Sequence, residues 1–273
     1  MKEEEVKKIV RKRYAKVAKT KSSCCTSSSC CSASTEKQVS KVIGYSEEEM
    51  RNVPEGANLG LGCGNPTALA SLKEGERVLD LGSGAGFDCF LAAKKVGKTG
   101  KVIGVDMTPE MLDKARSNAK RGNYSNVEFR LGEIENLPVA DNSVDVVISN
   151  CVINLVPNKK RVFEEAFRVL SRKGRLMVSD IVLLKKLPEA VQKNVEAYSS
   201  CIAGAEIKGN YLDLISKAGF REVRVLQEKT YPLDFVISEP EANEVINGLG
   251  MTQEEVKEVA NSIVSISVSA LKQ

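Results

Sequence analysis

The sequence predicts an α/β fold in which a mostly parallel sheet is wound on both faces by helices. Two observations carry this. Short apolar runs of strand length alternate with amphipathic helical segments about five times before residue 181, the pattern of a doubly wound sheet. The first run, Val78-Leu79-Asp80-Leu81, falls at once into glycines at alternate positions, Gly82, Gly84 and Gly86. A buried strand, a tight turn and a helix start account for that. The N–H groups of such a helix start have no partners within the helix, so a nucleotide-like ligand is expected there.

The elements follow in order. Val6, Ile9, Val10, Tyr14 and Val17 form one apolar stripe on a charged helix over residues 3–18, expected to dock without chemistry of its own. Lys21 to Ser34 is rich in serine and holds Cys24-Cys25 and Cys30-Cys31. It has little to bury and reads as mobile, and its spacing does not match the common C-x-x-C zinc pattern. A short helix near Tyr45–Met50 leads to a glycine-rich loop, where Cys63 sits between Gly62 and Gly64. After the glycine turn comes a helix carrying Phe87, Phe90 and Leu91, with Cys89 read as a small buried thiol.

The second strand, Lys101 to Asp106, ends in a carboxylate. Thr108-Pro109-Glu110 then starts a helix, with Thr as N-cap and Pro at the first helical position. Val127–Leu131 is the third strand. Val144–Asn150 is the fourth and delivers Cys151 to its carboxyl end, where ligands gather in open α/β sheets. Asn158 opens a helix, and Gly174–Ile181 is the fifth strand. A helix from Pro188 carries Cys201, and another spans Tyr211–Ala218. A strand over 222–227, a capping box of Thr252 with Glu255 and an alternating strand over 265–271 complete the chain. The expected units are an N-terminal segment with a substrate loop (1–70), a ligand-binding core (71–219) and a small C-terminal α+β domain (220–273).

Composition narrows the function classes. The 273 residues are 42% hydrophobic and 28% charged, with a net charge of +4 and no Trp. The charge signs are interleaved along the chain, without the basic stripe or interleaved aromatics of a nucleic-acid surface. Lys2 to Arg13 is too charged for a signal peptide, and no apolar stretch approaches the ~20 residues of a membrane span. A cytoplasmic monomer is expected, whose eight cysteines are thiols with chemical roles rather than disulfides. Histidine is absent, so chemistry must rest on thiols, carboxylates, Lys or Tyr.

Glycine spacing bears on the ligand. A dinucleotide fingerprint would place glycine at 87, where this chain has Phe87. The form Asp80-x-Gly82-x-Gly84-x-Gly86 instead resembles the first motif of class I methyltransferases, whose cofactor is S-adenosylmethionine. Asp106, at the tip of the second strand, would accept from the ribose hydroxyls. Amide and exocyclic-amine substrates are disfavoured, because Ser149-Asn150-Cys151-Val152 stands where such enzymes carry Asn/Asp-Pro-Pro-Tyr/Phe.

Over nearly its whole length the sequence resembles the arsenite S-adenosylmethionine methyltransferases. The matching stretches are Tyr14-Ala-Lys-Val-Ala with the Cys-Cys segment, Gly62-Cys63-Gly64-Asn65-Pro66, Val78 to Cys89, Ser149 to Leu155 and Ser200-Cys201-Ile-Ala-Gly204. The resemblance implies a Rossmann-like sheet of the seven-stranded type, with Cys63, Cys151 and Cys201 as ligands of trivalent arsenic. A further redox thiol would lie among Cys24, Cys25, Cys30 and Cys31, with Cys25 or Cys31 preferred. S-adenosylmethionine would contact Asp80, Gly82, Ser83, Gly84, Asp106, Met107, Glu133, Ile134 and Asn150, with Glu133 and Ile134 covering the adenine. The implied partners are arsenite or its thiol conjugates and an external thiol reductant of thioredoxin or glutathione type. Two other readings stay open: a class I methyltransferase for a quinone, sterol or other small molecule, and a thiol-based metalloid-binding protein without turnover.

Overall fold

The computed structural model describes residues 3–19, 32–192, 202–230, 248 and 252–273. Cys24, Cys25, Cys30, Cys31 and Cys201 lie outside the described residues. A seven-stranded sheet is built from β1 (Arg77–Leu81), β2 (Lys101–Asp106), β3 (Val127–Leu131), β4 (Val144–Asn150), β5 (Leu170–Leu183), β6 (Arg221–Thr230) and β7 (Ile263–Leu271). Its spatial order is β3-β2-β1-β4-β5-β7-β6. The first five strands pair in parallel, and β7 runs antiparallel to both neighbours.

The apolar runs read as strands because both faces of the central sheet are covered, which makes them near-continuously hydrophobic. On one face Val78, Val102, Val146 and Ile148 pack under α5 (Phe87–Val96) and α6 (Pro109–Arg121), against Phe90, Ala93, Leu112 and Ala115. On the other face Leu79, Leu81, Val105 and Val147 join Val162, Phe163, Ala166 and Val169 of α7 (Lys159–Val169). Each large side chain buried this way contributes roughly 1.5–3 kcal/mol.

Local signals place the helices. Asn158 caps α7 by accepting from Arg161 N–H at 3.1 Å. The expected Thr252–Glu255 capping box is present. Thr108 occupies the N-cap position of α6 but makes no side-chain cap bond; its N–H donates instead to Asp106 Oδ1 at 2.8 Å. A helix the sequence reading did not foresee, α2 (Ser32–Ile43), begins inside the segment expected to be mobile and leads to α3 (Glu47–Arg51).

β6 and β7 fall in the segment 220–273 that was expected to form a small separate unit. They pair into the main sheet instead, with β7 inserted between β5 and β6. The reason is burial: Ile263, Val264, Ile266, Val268 and Ala270 are each at most 3% exposed, and β5 covers them with a nine-residue register from Arg175↔Leu271 to Leu183↔Ile263. At the far end, buried Lys272 donates its amine to the carbonyls of Phe167 (2.6 Å) and Leu170 (2.7 Å).

The N-terminal helix α1 (Glu3–Lys19) buries Val6 and Val10. Both join an apolar cluster with Cys63, Leu155, Ile181 and Leu187, against which Tyr14, Met107 and Cys151 also pack. The helix therefore roofs the carboxyl ends of the parallel strands. Among the described residues no helix is long and apolar enough to cross a membrane.

Candidate active site at the strand carboxyl ends

Strand order reverses between β1 and β4, the place where open α/β sheets bind ligands. After β1, Gly82, Gly84 and Gly86 all have positive φ (+67°, +51° and +93°). Gly82 and Ser83 donate their N–H groups to Val105 O at 2.8 and 3.0 Å, which ties the turn to β2. Asp106 closes the arrangement: Oδ2 accepts from Gly84 N–H at 2.9 Å while Oδ1 takes Thr108 N–H. Burial raises this carboxyl, and the backbone N–H groups of Thr108 and Gly84 pull the other way.

A Cβ at Gly82 would lie 2.3 Å from Val152 Cγ2, so that glycine serves close packing. A Cβ at Gly84 would meet nothing within 4 Å, so here the backbone borders open space. That cradle fits S-adenosylmethionine, and the surrounding charge fits it too. Burial, then the charge of Asp88, holds the Asp80 carboxyl well above the usual carboxylate range, and Asp106 adds to the effect. The mutual repulsion of these clustered acids would be eased by a sulfonium with an ammonium group and worsened by a pyrophosphate.

The second half of the site is built from thiols. Cys151 follows β4 with φ +56°, and its N–H donates to Ser179 O at 2.8 Å, an arrangement that turns the chain sharply off the strand tip. Cys63 is 4% exposed, and its Sγ approaches the same Ser179 O at 3.5 Å. Cys63 Sγ, Cys151 Sγ and a carboxylate oxygen of Asp180 all lie within 4.8 Å of one another. Two of the three predicted arsenic ligands are thus brought together from positions 63 and 151.

Asp180 was not foreseen. It lies 1% exposed on β5 and accepts from Asn154 Nδ2 (2.8 Å), Ile181 N–H (3.0 Å) and Tyr211 O–H (3.1 Å). Burial pushes its carboxyl up to about 7, against the pull of those donors. The available signal was a carboxylate inside the apolar run Leu176 to Leu183. Tyr211 comes from α9 (Lys208–Lys217), one element beyond the segment that holds Cys201.

Other predicted residues fall as follows. Asn150 directs its side chain to the Cys63 loop, to Tyr45 O–H and to Asp88. Tyr45 O–H donates to Asp88 Oδ1 at 2.6 Å, and burial brings the Asp88 carboxyl to about 6. Cys89 is fully buried, and its thiol donates to Asp80 Oδ2 at 3.2 Å. Glu133, at the tip of β3, pairs with Lys7 (2.7 Å) and Arg11 (3.5 Å) of α1, and Lys7 also reaches Glu135 at 3.2 Å. Ile134 is buried in the main core, Met107 packs partly buried beside the thiol cluster, and Ser83 Oγ is buried over the open Cα of Gly104.

Comparison with known proteins bears on the family and the fold. A methyltransferase-domain family matches residues 72–219. The arsenite methyltransferase of Halobacterium salinarum is 50% identical over 230 residues, covering 81% of this chain and 59% of that protein. The human arsenite methyltransferase is 36% identical over 236 residues, covering 83% of this chain and 61% of its own length. The chain thus spans about three fifths of the length of the curated relatives it matches. The crystal structure of an arsenic(III) S-adenosylmethionine methyltransferase from Chlamydomonas reinhardtii superposes with a TM-score of 0.62 at 33% identity, covering 86% of this chain and 73% of that one. A glycine cradle at the β1 tip, a carboxylate closing β2 and two cysteines meeting beyond β4, together with these similarities, lead to one conclusion: the chain belongs to the arsenite S-adenosylmethionine methyltransferase family, within the class I methyltransferases.

Proposed function

We propose that the protein methylates trivalent arsenic at the expense of S-adenosylmethionine. The observation that carries the reading is the approach of Cys63 and Cys151 to each other beside the glycine cradle. Soft thiolates select soft ions, and Cys201 is the proposed third ligand of a pyramidal As(III). Loading is balanced without a base: each thiol proton leaves with an arsenite hydroxyl as water, while an As–S bond replaces an As–O bond. Asp180 lies close enough to both thiols to hold such a proton in transit.

When bound, the cofactor supplies an electrophilic methyl group on a sulfonium; Asp106 would hold its ribose hydroxyls, the backbone at Gly82, Ser83 and Gly84 its amino-acid end, and Glu133 with Ile134 its adenine. The chain's own contribution is positional. The thiolates leave the arsenic lone pair as nucleophile, and an oriented pair of reactants replaces an encounter in solution. Val6 and Val10 of α1 pack in the same apolar cluster as Cys63 and Cys151. An enzyme acting on a hydroxyl would need a group to remove its proton, whereas the arsenic lone pair needs none.

Methylation leaves arsenic formally pentavalent. Two thiols return it to the trivalent state by closing a disulfide, which an external reductant of thioredoxin or glutathione type reopens. Cys25 or Cys31 is the proposed partner in that step. The protein is proposed to work as a cytoplasmic monomer.

The test is incubation with arsenite, a thiol reductant and methyl-labelled cofactor, followed by chromatographic separation of arsenic species. Labelled methylarsenicals are expected in the wild type and lost in Cys63→Ser and Cys151→Ser, with cofactor binding retained. Cofactor consumption that is indifferent to arsenite would overturn the reading.

A further inference from the structure

We propose that Asn150 is a positioning residue that sets the thiol pair by fastening the Cys63 loop to the tip of β4. The inference rests on the arsenic reading above and deepens it. Its basis is a two-point clamp: Asn150 Oδ1 accepts from Cys63 N–H at 3.0 Å, and Nδ2 donates to Gly64 O at 2.9 Å. A side-chain amide that reads one N–H and one C=O of the same short peptide acts as a single residue of added strand.

The surroundings are shaped to this contact. Gly62 runs flat against the carboxamide at φ +136°, and a Cβ there would lie 2.8 Å from Asn150 Nδ2. Gly64 passes over Ser179, whose Oγ would be 2.6 Å from a Cβ. The peptide is also held from the far side, since Ser265 Oγ donates to Cys63 O at 2.6 Å. Cys63 is therefore strung between β4 and β7, across β5.

The same residue governs the other thiol through the backbone, because Cys151 is its direct successor. One side chain and one peptide bond thus set both sulfur positions. The remaining amide proton of Asn150 lies between Tyr45 Oη (2.8 Å) and Asp88 Oδ2 (3.1 Å). Both of its amide protons are thereby directed to acceptors within the protein. The cost of bringing two distant thiols together falls on folding, and arsenic meets a chelate already formed.

The test uses the full chain with Cys24, Cys25, Cys30, Cys31 and Cys201 changed to serine, leaving Cys63, Cys151 and the buried Cys89. Phenylarsine oxide, which needs two thiols, reports the pair; diamide, which oxidises two thiols to a disulfide while its own N=N bond is reduced, reports their proximity without arsenic. Asn150→Ala should weaken phenylarsine oxide binding at least 10-fold and slow closure of the Cys63–Cys151 disulfide, mapped by mass spectrometry, by a similar factor. Affinity for S-adenosylmethionine should stay within 2-fold. With all cysteines present, the same substitution should raise KM for arsenite more than it lowers kcat.

Ser265→Ala, at the other end of the peptide, should shift both thiol readouts in the same direction. If Asn150→Ala fails to fold, Ser265→Ala decides alone, and unchanged closure there overturns the proposal. So does loss of cofactor affinity in Asn150→Ala with phenylarsine oxide binding and closure retained. If the parent protein takes up no phenylarsine oxide yet closure still slows in Asn150→Ala, the arsenic reading fails while the clamp stands.

Discussion

Gly84→Ala isolates the cofactor cradle from the rest of the fold. The added methyl meets no protein atom within 4 Å, so its cost to the folded chain is confined to the backbone at φ +51°. An L-residue pays about 1–2 kcal/mol in that region. For a chain of this size each kcal/mol lowers Tm by roughly 2–4 °C, so a drop of about 2–8 °C is expected in the free protein. Affinity should suffer separately, because the methyl projects into the space that the cofactor fills. Overpacking a fitted contact costs about 1–3 kcal/mol, or roughly 5- to 150-fold in Kd.

Calorimetric titration with S-adenosylmethionine, beside a thermal melt, measures both effects. The control is Gly82→Ala, whose Cβ would press to 2.3 Å from Val152 Cγ2, next to Cys151. It should disturb the fold and the thiol pair as well as the cofactor. Wild-type affinity in Gly84→Ala would refute the assignment of the open space beside this glycine to the cofactor.

Three further outcomes follow from the geometry. Asp106→Ala should lower cofactor affinity by about 10- to 100-fold, since hydrogen bonds to a charged acceptor are worth about 1.5–3 kcal/mol; unchanged affinity in a titration would remove Asp106 from the site. Lys7→Ala leaves Glu133 and Glu135 without their shared partner and should cost about 1 kcal/mol, with faster hydrogen exchange across residues 3–19; unaltered exchange would mean α1 is held by Val6 and Val10 alone.

The third outcome concerns Asp180. Its folded carboxyl sits at about 7, against about 3.9 for an ordinary Asp. Because the folded state holds the proton more tightly, stability is fully present below about pH 4 and declines as pH rises towards 7, on the order of 3 kcal/mol between pH 5 and pH 8. Asp180→Asn mimics the protonated form and should flatten that slope in a series of melts. An unchanged slope would show that burial does not perturb this group.

Much of the fold was legible because its signals are local. An apolar run of four or five residues ending in glycine can hardly be anything but a buried strand and a turn, and β1 to β5 appear where such runs occur. Capping residues act within three positions of themselves, so Asn158 and the Thr252–Glu255 box were readable one by one. The helix at 32–43 escaped because serine-rich composition masks a short stripe whose partner, the loop around Asn58 and Gly60, lies elsewhere in the chain. The placement of β6 and β7 escaped for a related reason: alternation shows that β7 is a strand but not which strand it joins.

The sequence by itself determined that a doubly wound sheet would present a glycine turn, the β2 carboxylate Asp106 and the thiol of Cys151 at its strand tips, because each follows from a run of neighbouring residues. Only the tertiary structure decided that Cys63 meets Cys151, that Asp180 stands beside them and that Lys7 straps a helix over Glu133. Such meetings depend on register across non-neighbouring strands and on side chains, such as Asn150, that read the backbone of a distant loop. No local propensity encodes a hydrogen bond between residues 87 positions apart; it exists because packing the whole sheet brings its two halves within reach.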